Sequence, residues 1–277
     1  MSSLTNAIRA EHTKVQGSRS WWIMLLILFG YSALMAGFIA FFVGDLGTMS
    51  GQAGVELDPV TSAKLTYTIG SSLGYVIPVI FGTLLFTAEI RYHTLTPTFL
   101  ATPKRSTVLL AKVVIAKGYG LLFGLAAALG AALPAAIIFS LQGKDTQLGN
   151  PEILWMLVRI VIVMAIWSLL GLGLGSLVTN QITAIVLLLA FTQFLEPILR
   201  MVSAIWDWSA QLGQFLPGAA SDSFVGAGIL NSMSQLDPTL GSASAHLDWW
   251  AGGLVLLALA VVMMLFGYLS NWRKDVS

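Results

Sequence analysis

The chain has 277 residues, of which 56% are hydrophobic and only 10% carry a charge. Soluble domains usually carry about 25% charged residues, so this deficit excludes a surface that faces water on all sides. The net charge of +1 excludes the basic footprint of a nucleic-acid-binding protein. The absence of cysteine excludes disulfides, thiolate metal sites and cysteine nucleophiles. We therefore expect an all-α polytopic membrane protein.

Six apolar stretches are long enough to cross a hydrocarbon core, which takes about 20 residues of helix. They lie at about 21–43, 69–88, 113–141, 153–178, 183–205 and 249–270. The second is short and contains Pro78, and the fifth contains Glu196 followed by Pro197. Neighbouring helices can satisfy the carbonyls that such prolines leave free, so we expect a single transmembrane domain over residues 1–277.

The loops between these spans differ in charge, and this difference predicts their orientation. One side carries ten basic residues, namely Arg9, Lys14, Arg19, Arg91, Lys104, Arg105, Lys112, Lys117, Arg273 and Lys274. The opposite loops carry only Lys64 and Lys144, together with most of the acidic residues. Because basic loops stay in the cytoplasm, we expect both termini inside, in the plasma (inner) membrane of a bacterium.

Residues 1–20, which precede the first span, can form a helix with an apolar face. That face would be formed by Leu4, Ala7, Ile8 and Val15, whereas Arg9, Glu11 and Lys14 lie elsewhere. This pattern predicts an amphipathic helix along the cytoplasmic membrane surface. The alternative is a plain basic anchor that only sets the topology.

Residues 89–112 connect spans two and three on the basic side. Thr94 to Leu100 can form a short helix, and Thr102 followed by Pro103 is typical of the start of the next helix. Such a short helix at the mouth of two spans is suited to docking a soluble partner. The alternative is a basic loop without a docking role.

Residues 206–248 form a long segment on the opposite side, interrupted by Pro217-Gly218 and Pro238. We expect short helices here that re-enter the membrane before span six. An ordinary surface loop is the alternative.

Charged residues within spans are costly, and they point to a function or a structural pairing. Arg159 and Glu196 lie at similar depths, and Arg200 is one turn beyond Glu196. We expect Arg159 and Glu196 to pair, with Arg200 on the same face as Glu196. The alternative is that each side chain reaches the membrane interface separately.

Glycines also recur at helical spacing, which permits close helix packing. The pairs are Gly70 and Gly74, Gly120 and Gly124, and Gly171 and Gly175.

The segment after span two resembles the permease subunits of type 2 ABC transporters, of the exporter class. Those permeases often show an acid, an arginine, a Gly-Thr pair, a leucine, Pro-x-Arg and a later lysine. The matching residues here are Glu89, Arg91, Thr94, Leu100, Pro103, Arg105 and Lys112. The N-terminus is similar as well, through Glu11, Lys14, Arg19 and Trp21. The chain departs from the pattern at His93, where a glycine is usual.

The resemblance implies two ATP-binding cassette ATPase subunits and a second permease, either another copy or a related chain. The ATPase interface it implies is formed by Glu11, Lys14, Glu89, Arg91, Thr94, Leu100, Pro103 and Arg105. The chain has no phosphate-binding loop, so ATP and Mg would bind to the partner and this chain would not be an enzyme.

No catalytic or metal site is expected in this chain. His12, His93 and His246 fall on both sides of the membrane and cannot form one site. The sequence around Ser72 formally matches a hydrolase nucleophile elbow, but it opens a span instead of following a strand.

We expect the membrane subunit of an ATP-driven exporter, surrounded by membrane lipids. Its apolar spans favour a hydrophobic or amphipathic substrate, such as a drug, a lipid or a peptide. A secondary transporter or channel working without ATP is an alternative, and a non-transporting membrane sensor or assembly protein is another.

Overall fold

The computed structural model of the chain describes residues 2–49, 58–102, 104–178, 180–203, 207–227 and 247–272. These residues form helices and connecting turns, with no strand among them. Six of the helical segments are long and apolar enough to cross a membrane: Ser20–Phe42, Pro59–Arg91, Arg105–Leu141, Pro151–Leu177, Gln181–Ser203 and Trp249–Ser270. The protein is therefore an all-α multi-pass membrane protein with six candidate spans, and the predicted fold class is confirmed.

We number the helices in chain order. They are α1 (Ser2–Gly17), α2 (Ser20–Met49), α3 (Pro59–Gly74), α4 (Val76–Arg91), α5 (Leu95–Ala101), α6 (Arg105–Leu141), α7 (Pro151–Leu177), α8 (Gln181–Leu189), α9 (Glu196–Ser203), α10 (Asp207–Gly213), α11 (Pro217–Val225) and α12 (Trp249–Gly267). A π-helical turn, Ala190–Leu195, joins α8 to α9, and another, Tyr268–Trp272, follows α12.

The spans differ in how much of their surface the rest of the chain covers. In spans two, three and four, 50–61% of the residues in the apolar stretch are buried by the rest of the chain, compared with 22% in spans one, five and six. The centre of the fold is therefore α3–α4, α6 and α7. The outer spans α2, α8–α9 and α12 leave apolar side chains for lipid or for other membrane proteins.

The second span begins about ten residues earlier than the sequence predicts, at Pro59 instead of residue 69. Polar side chains in this first part lowered its apparent hydrophobicity, but its threonine hydroxyls bond within their own helix, and Lys64 and Tyr67 bond other parts of the chain. The hydroxyls of Thr66 and Thr68 donate to the carbonyls of Ser62 and Lys64, at 2.8 and 2.7 Å. A span can therefore carry these hydroxyls without unsatisfied polar groups.

The same span is broken at Tyr75, where α3 ends and α4 begins. Pro78, three residues later, has no N–H to donate to the carbonyl of Gly74, and its ring would clash with that carbonyl in a continuous helix. The proline thus explains the position of the break.

The fifth span accommodates its proline through the π-helical turn. The N–H of Glu196 donates to the carbonyl of Phe191, five residues earlier. This wider turn ends at Leu195, two residues before Pro197. Single π-turns of this kind often mark functional positions in helices.

The start of α6 differs from the expected cap. Thr102 ends α5, since its N–H donates to the carbonyl of Thr98 at 2.9 Å. The next helix begins at Arg105, with Lys104 at the N-cap and no side-chain capping bond. Pro103, the expected first residue of that helix, lies outside the described residues.

All three predicted glycine pairs lie at close helix contacts. A methyl group on Gly120 or Gly124 would lie 2.6 Å from the Cα of Ala165 or Val161 on α7. Gly70 and Gly74 meet α2 in the same manner, and Gly171 and Gly175 meet α4. The glycines therefore set the distances between the central helices.

Candidate functional site

Four charged side chains form a cluster where α1, the end of α4, α5 and the start of α6 meet. We call this end of the bundle the N-terminal face, and the end formed by residues 142–150 and α11 the opposite face. The four residues are Glu11, Lys14, Glu89 and Lys112, and we refer to them as the charge cluster. They come from three helices, so each position depends on tertiary packing.

Lys112 is the buried centre of the charge cluster, with no exposed side-chain surface. Its Nζ lies 2.8 Å from Glu11 Oε2 and donates to the carbonyl of Leu85, also at 2.8 Å. Glu89 Oε2 is 3.0 Å away, an ion-pair distance without hydrogen-bond alignment. An ammonium group has three donors, and here it has three oxygen neighbours.

Lys14 completes the charge cluster from its outer side, with 40% of its side chain exposed. Its Nζ donates to Glu11 Oε1 at 2.5 Å and to Glu89 Oε1 at 2.6 Å. A third bond, of 3.1 Å, reaches the hydroxyl of Thr98 on α5. Each carboxylate thus bridges both lysines, and the four charges sum to zero.

The balance of charge explains how these groups are tolerated away from water. Burial on its own would raise the pKa of Glu11, but the ammonium groups of Lys112 and Lys14 outweigh it and hold that pKa below its ordinary value. Burial would likewise lower the pKa of Lys14, but its bonds to Glu11 and Glu89 raise that pKa. The charged forms therefore stabilise each other in the packed state.

The N-terminal helix packs on α6 through one face. That face contains Ala7 and Val15 of the predicted apolar face, but it also contains Glu11, which the sequence predicted to lie elsewhere. Ala7, Glu11 and Val15 are buried, and their spacing of four residues aligns them along α1. Tyr119 of α6 adds a polar contact, with its hydroxyl 3.4 Å from His12 Nδ1. The helix thus rests on α6 through both apolar and ionic contacts.

The end of α4 is closed by a Schellman turn that also leads into α5. The N–H of Thr94 bonds the carbonyl of Glu89 at 2.9 Å, and the N–H of His93 bonds that of Ile90 at 3.2 Å. His93 occupies the left-handed position with φ of 54°. This geometry is the one that glycine adopts most easily, so histidine here keeps the turn at a conformational cost.

The short helix α5 is the exposed part of the N-terminal face. It has no buried residue, and Leu100 is 79% exposed. Its inner side is held by Thr98, which bonds Lys14, and by Phe99, whose ring lies 5.2 Å from the guanidinium carbon of Arg105. The helix therefore presents an apolar side chain outward while it is tied to its neighbours.

The family resemblance implies eight residues at a partner interface, and the structure separates them into buried and exposed groups. Glu11 and Glu89 are 3% and 6% exposed and contact other helices of the same chain. Their assignment is therefore revised: they hold the N-terminal face together. The exposed members are Lys14, Arg91, Thr94 and Leu100, Arg105 is half-buried, and Pro103 lies outside the described residues.

Arg91 is placed at the edge of this face. Its guanidinium donates to the side-chain oxygen of Gln181 at 3.3 Å, which links α4 to the start of α8. It also lies 5.8 Å from the ring of Tyr92. The N-terminal face thus touches span five as well.

The intramembrane charges are arranged differently from the expectation. Arg159 stacks on the ring of Trp249, with its guanidinium carbon 4.6 Å from the ring centre. It forms no ion pair with Glu196, so the expected Arg159–Glu196 pair is wrong. Glu196 instead lies beside Arg200, whose Nε is 3.3 Å from Glu196 Oε1. The position of Arg200 beside Glu196 agrees with the sequence.

Asp222 of α11 completes this second group on the side of the opposite face. Arg200 donates to Asp222 Oδ2 at 2.8 Å, and the N–H of Gly218 donates to Glu196 Oε1. Gly218 lies in the first turn of α11, so the Glu196 carboxylate caps that helix from a distant part of the chain. No sequence signal pointed to Asp222, because it lies in a segment with no regular hydrophobic pattern.

The helix α11 reaches far into the bundle. Ser221 accepts a hydrogen bond of 3.1 Å from the indole N–H of Trp167, and both groups are buried. Trp167 lies 16 residues after the start of α7, or about 24 Å along that helix. Residues 228–246, the rest of the expected re-entrant segment, lie outside the described residues.

The N-terminal face is a junction of several helices, and its described residues hold no metal-ligand group. Among the described residues no group of three or more His, Asp or Glu side chains could hold a metal ion. The charge cluster joins the exposed helix α5 to spans two and three and to α1. No protein-family model matches the chain, and no curated protein is significantly similar to it.

Proposed function

We propose that this chain is the transmembrane permease subunit of an ATP-driven ABC exporter. The N-terminal face would lie in the cytoplasm and bind two ATP-binding cassette subunits across a pair of permeases. ATP and Mg would be bound by those subunits. The chain itself would form the path for the substrate.

The observation that supports this proposal most is the connection of α5 to the charge cluster. A soluble subunit that pressed on the exposed side of α5 would act through Thr98 on Lys14. Lys14 in turn holds Glu89 at the end of span two and Glu11 on α1. Motion of a docked ATPase would thus tilt spans two and three together with the N-terminal helix.

The cytoplasmic location of this face rests on the distribution of basic residues. Lys and Arg in short loops favour the cytoplasmic side, and the segments around α1 and α5 carry most of them. We expect both termini inside, in the plasma (inner) membrane of a bacterium.

The apolar character of the spans supports a hydrophobic or amphipathic substrate, which would be a drug, a lipid or a peptide. The buried surfaces between the central helices are lined mainly by alanine, glycine and aromatic side chains. A hydrophilic substrate would find few hydrogen-bond partners there.

A photo-crosslinking experiment tests the partner. A photoreactive residue replaces Leu100 in one variant and Leu141 in a matched control, since these side chains are 79% and 82% exposed at opposite faces. We expect the Leu100 variant to capture a subunit with a phosphate-binding loop, and the purified complex to hydrolyse ATP in proteoliposomes only when this chain is present. ATP hydrolysis that is independent of this chain would contradict the proposal.

Two glycines allow a matched test of orientation, because the natural chain has no cysteine. Gly17 and Gly149 are exposed, and a side chain at either position would meet no neighbouring atom within 4 Å. In intact cells a membrane-impermeant thiol reagent should label G149C but not G17C, and it should label both after lysis. The reverse pattern would place the N-terminal face outside.

A secondary transporter is the second candidate, and one observation favours it. Glu196 is a buried carboxylate within a span, beside a π-helical turn, and such features mark ion paths in transporters. Reconstituted transport by this chain alone, driven by an ion gradient without ATP, would select this candidate.

A further inference from the structure

Glu196 is nearly enclosed, with 2% of its surface exposed. One carboxylate oxygen, Oε1, accepts the N–H of Gly218 and lies 3.3 Å from Arg200 Nε. The other oxygen, Oε2, is buried and has no hydrogen-bond donor among the described residues. With no partner for Oε2 in the described part of the chain, an ionised carboxylate would bury an unpaired charge, which costs much more than an unpaired neutral hydroxyl.

The charges around Glu196 do not balance when it is ionised. Arg200 on its own helix lies beside Glu196, and Asp222 on α11 bonds Arg200 in turn. The phenol of Tyr75, at the break between α3 and α4, donates to the carbonyl of Thr192, one turn before Glu196. Arg200 is the only cation within ion-pair distance in the part of the chain that the structure describes, and it bonds Asp222 more closely, at 2.8 Å. Glu196 and Asp222 together would therefore exceed the single guanidinium by one negative charge.

We propose that Glu196 is a proton-binding site and carries a proton on Oε2 at neutral pH. The step is the addition of one proton from water to one carboxylate, which gives a neutral acid. Arg200 and Asp222 then remain as a balanced ion pair. The acid keeps its other oxygen, Oε1, available to the N–H of Gly218, so α11 stays docked in the protonated state.

The helix α11 packs directly against the Glu196 carboxylate. Gly218 lies against Glu196 so closely that an added methyl group would collide with the carboxylate and with Arg200. The side chain of Asp222, by contrast, is 21% exposed. Of the two acids in this group, Asp222 is therefore the more accessible. This site operates whether or not an ATPase binds the N-terminal face, so the inference goes beyond the proposed function.

Infrared spectroscopy of the full chain in lipid nanodiscs tests the site. At neutral pH we expect a protonated-carboxyl C=O band that shifts in D₂O and is lost in the Glu196→Gln variant. Glu152→Gln is the matched control, because that side chain is 60% exposed and should contribute no such band. Asp222→Asn should also remove the band, because Arg200 is then free to pair with an ionised Glu196.

Each outcome decides the proposal. Glutamine has the shape of the protonated acid, so the Glu196→Gln variant should fold with its elution profile unchanged. Misfolding of this variant would mean that the ionised form is needed, and it would overturn the proposal. A wild-type spectrum without a band that depends on Glu196 would do so too. Persistence of the band in the Asp222→Asn variant would refute the argument from charge balance.

Discussion

Substitution of Lys112 by methionine tests whether the charge cluster holds the N-terminal face together. Methionine keeps most of the side-chain volume but removes the ammonium group that lies 2.8 Å from Glu11 and 3.0 Å from Glu89. The two carboxylates would then share only Lys14, which is partly exposed. A buried negative charge would be left without compensation.

The loss of stability expected in K112M follows from the burial of Glu11 and Glu89. Removal of one partner from a buried ion pair costs about 3–5 kcal/mol, mainly because the other charge stays buried and unpaired. Lys64 and Glu152 form a matched exposed pair at 2.5 Å, with 26% and 60% of their side chains accessible. Exposed pairs contribute only about 0–1 kcal/mol. We therefore expect K112M to lower the free energy of unfolding several-fold more than K64M.

Unfolding in mixed micelles of increasing denaturing detergent, followed by far-ultraviolet circular dichroism, measures both variants. A triple variant that combines K112M with E11Q and E89Q should recover much of the loss, because no unpaired charge remains buried. Equal losses of unfolding free energy in K112M and K64M would refute the argument that the charge cluster is stabilised by buried ion pairs. A triple variant no more stable than K112M would refute it as well.

Three further predictions concern separate features. His93→Gly should stabilise the chain by about 0.5–1 kcal/mol, because glycine adopts the left-handed φ of 54° without strain, whereas Tyr92→Gly should destabilise it. Gly82→Ala should cost about 1–3 kcal/mol, since the methyl group would collide with the carbonyl of Ser168 on α7. Because the pKa of Glu11 is lowered in the packed state, its contribution should be full above its ordinary pKa of 4.5 and lost as the pH falls below it.

The same unfolding assay checks the two glycine substitutions, and protease access to α1 across acidic pH checks the third prediction. Gly118→Ala is the control for Gly82→Ala, because no atom lies within 4 Å of the added methyl group. Equal effects of these two would contradict the packing argument. A loss of stability in His93→Gly would contradict the inference that the left-handed backbone of His93 is strained. For Glu11, the acid-induced release of α1 should disappear in Glu11→Gln, and its persistence would assign the release to another group.

The number and type of spans could be predicted because hydrophobicity and length act locally along the chain. The boundaries were harder to predict where polar side chains interrupt the apolar pattern of a span, and for this reason the start of span two at Pro59 was missed. The glycine pairs at helix contacts could also be predicted, because close helix packing requires small residues at regular spacing. The helices that these glycines contact could not be predicted, because the spacing of residues on one helix does not identify the helix packed against it.

The pairing of charges depended on distances between helices that the sequence does not contain. Depth along a span suggested that Arg159 and Glu196 would meet, but helices at the same depth can face different neighbours. Arg159 turns toward Trp249, and Glu196 turns toward α11. Asp222 could not be found in advance, because only the folding of α11 onto α9 brings it to Arg200.

The sequence by itself determined that this protein is a helical multi-pass membrane protein, because a hydrocarbon environment selects apolar helices of a fixed length. It also identified Glu11, Lys14, Glu89 and Lys112 as notable residues through a family resemblance. Only the tertiary structure decided what they do. Because α1 packs on α6 beside the end of α4, the four charges meet in one buried cluster, whose energy depends on burial and distance instead of residue type alone.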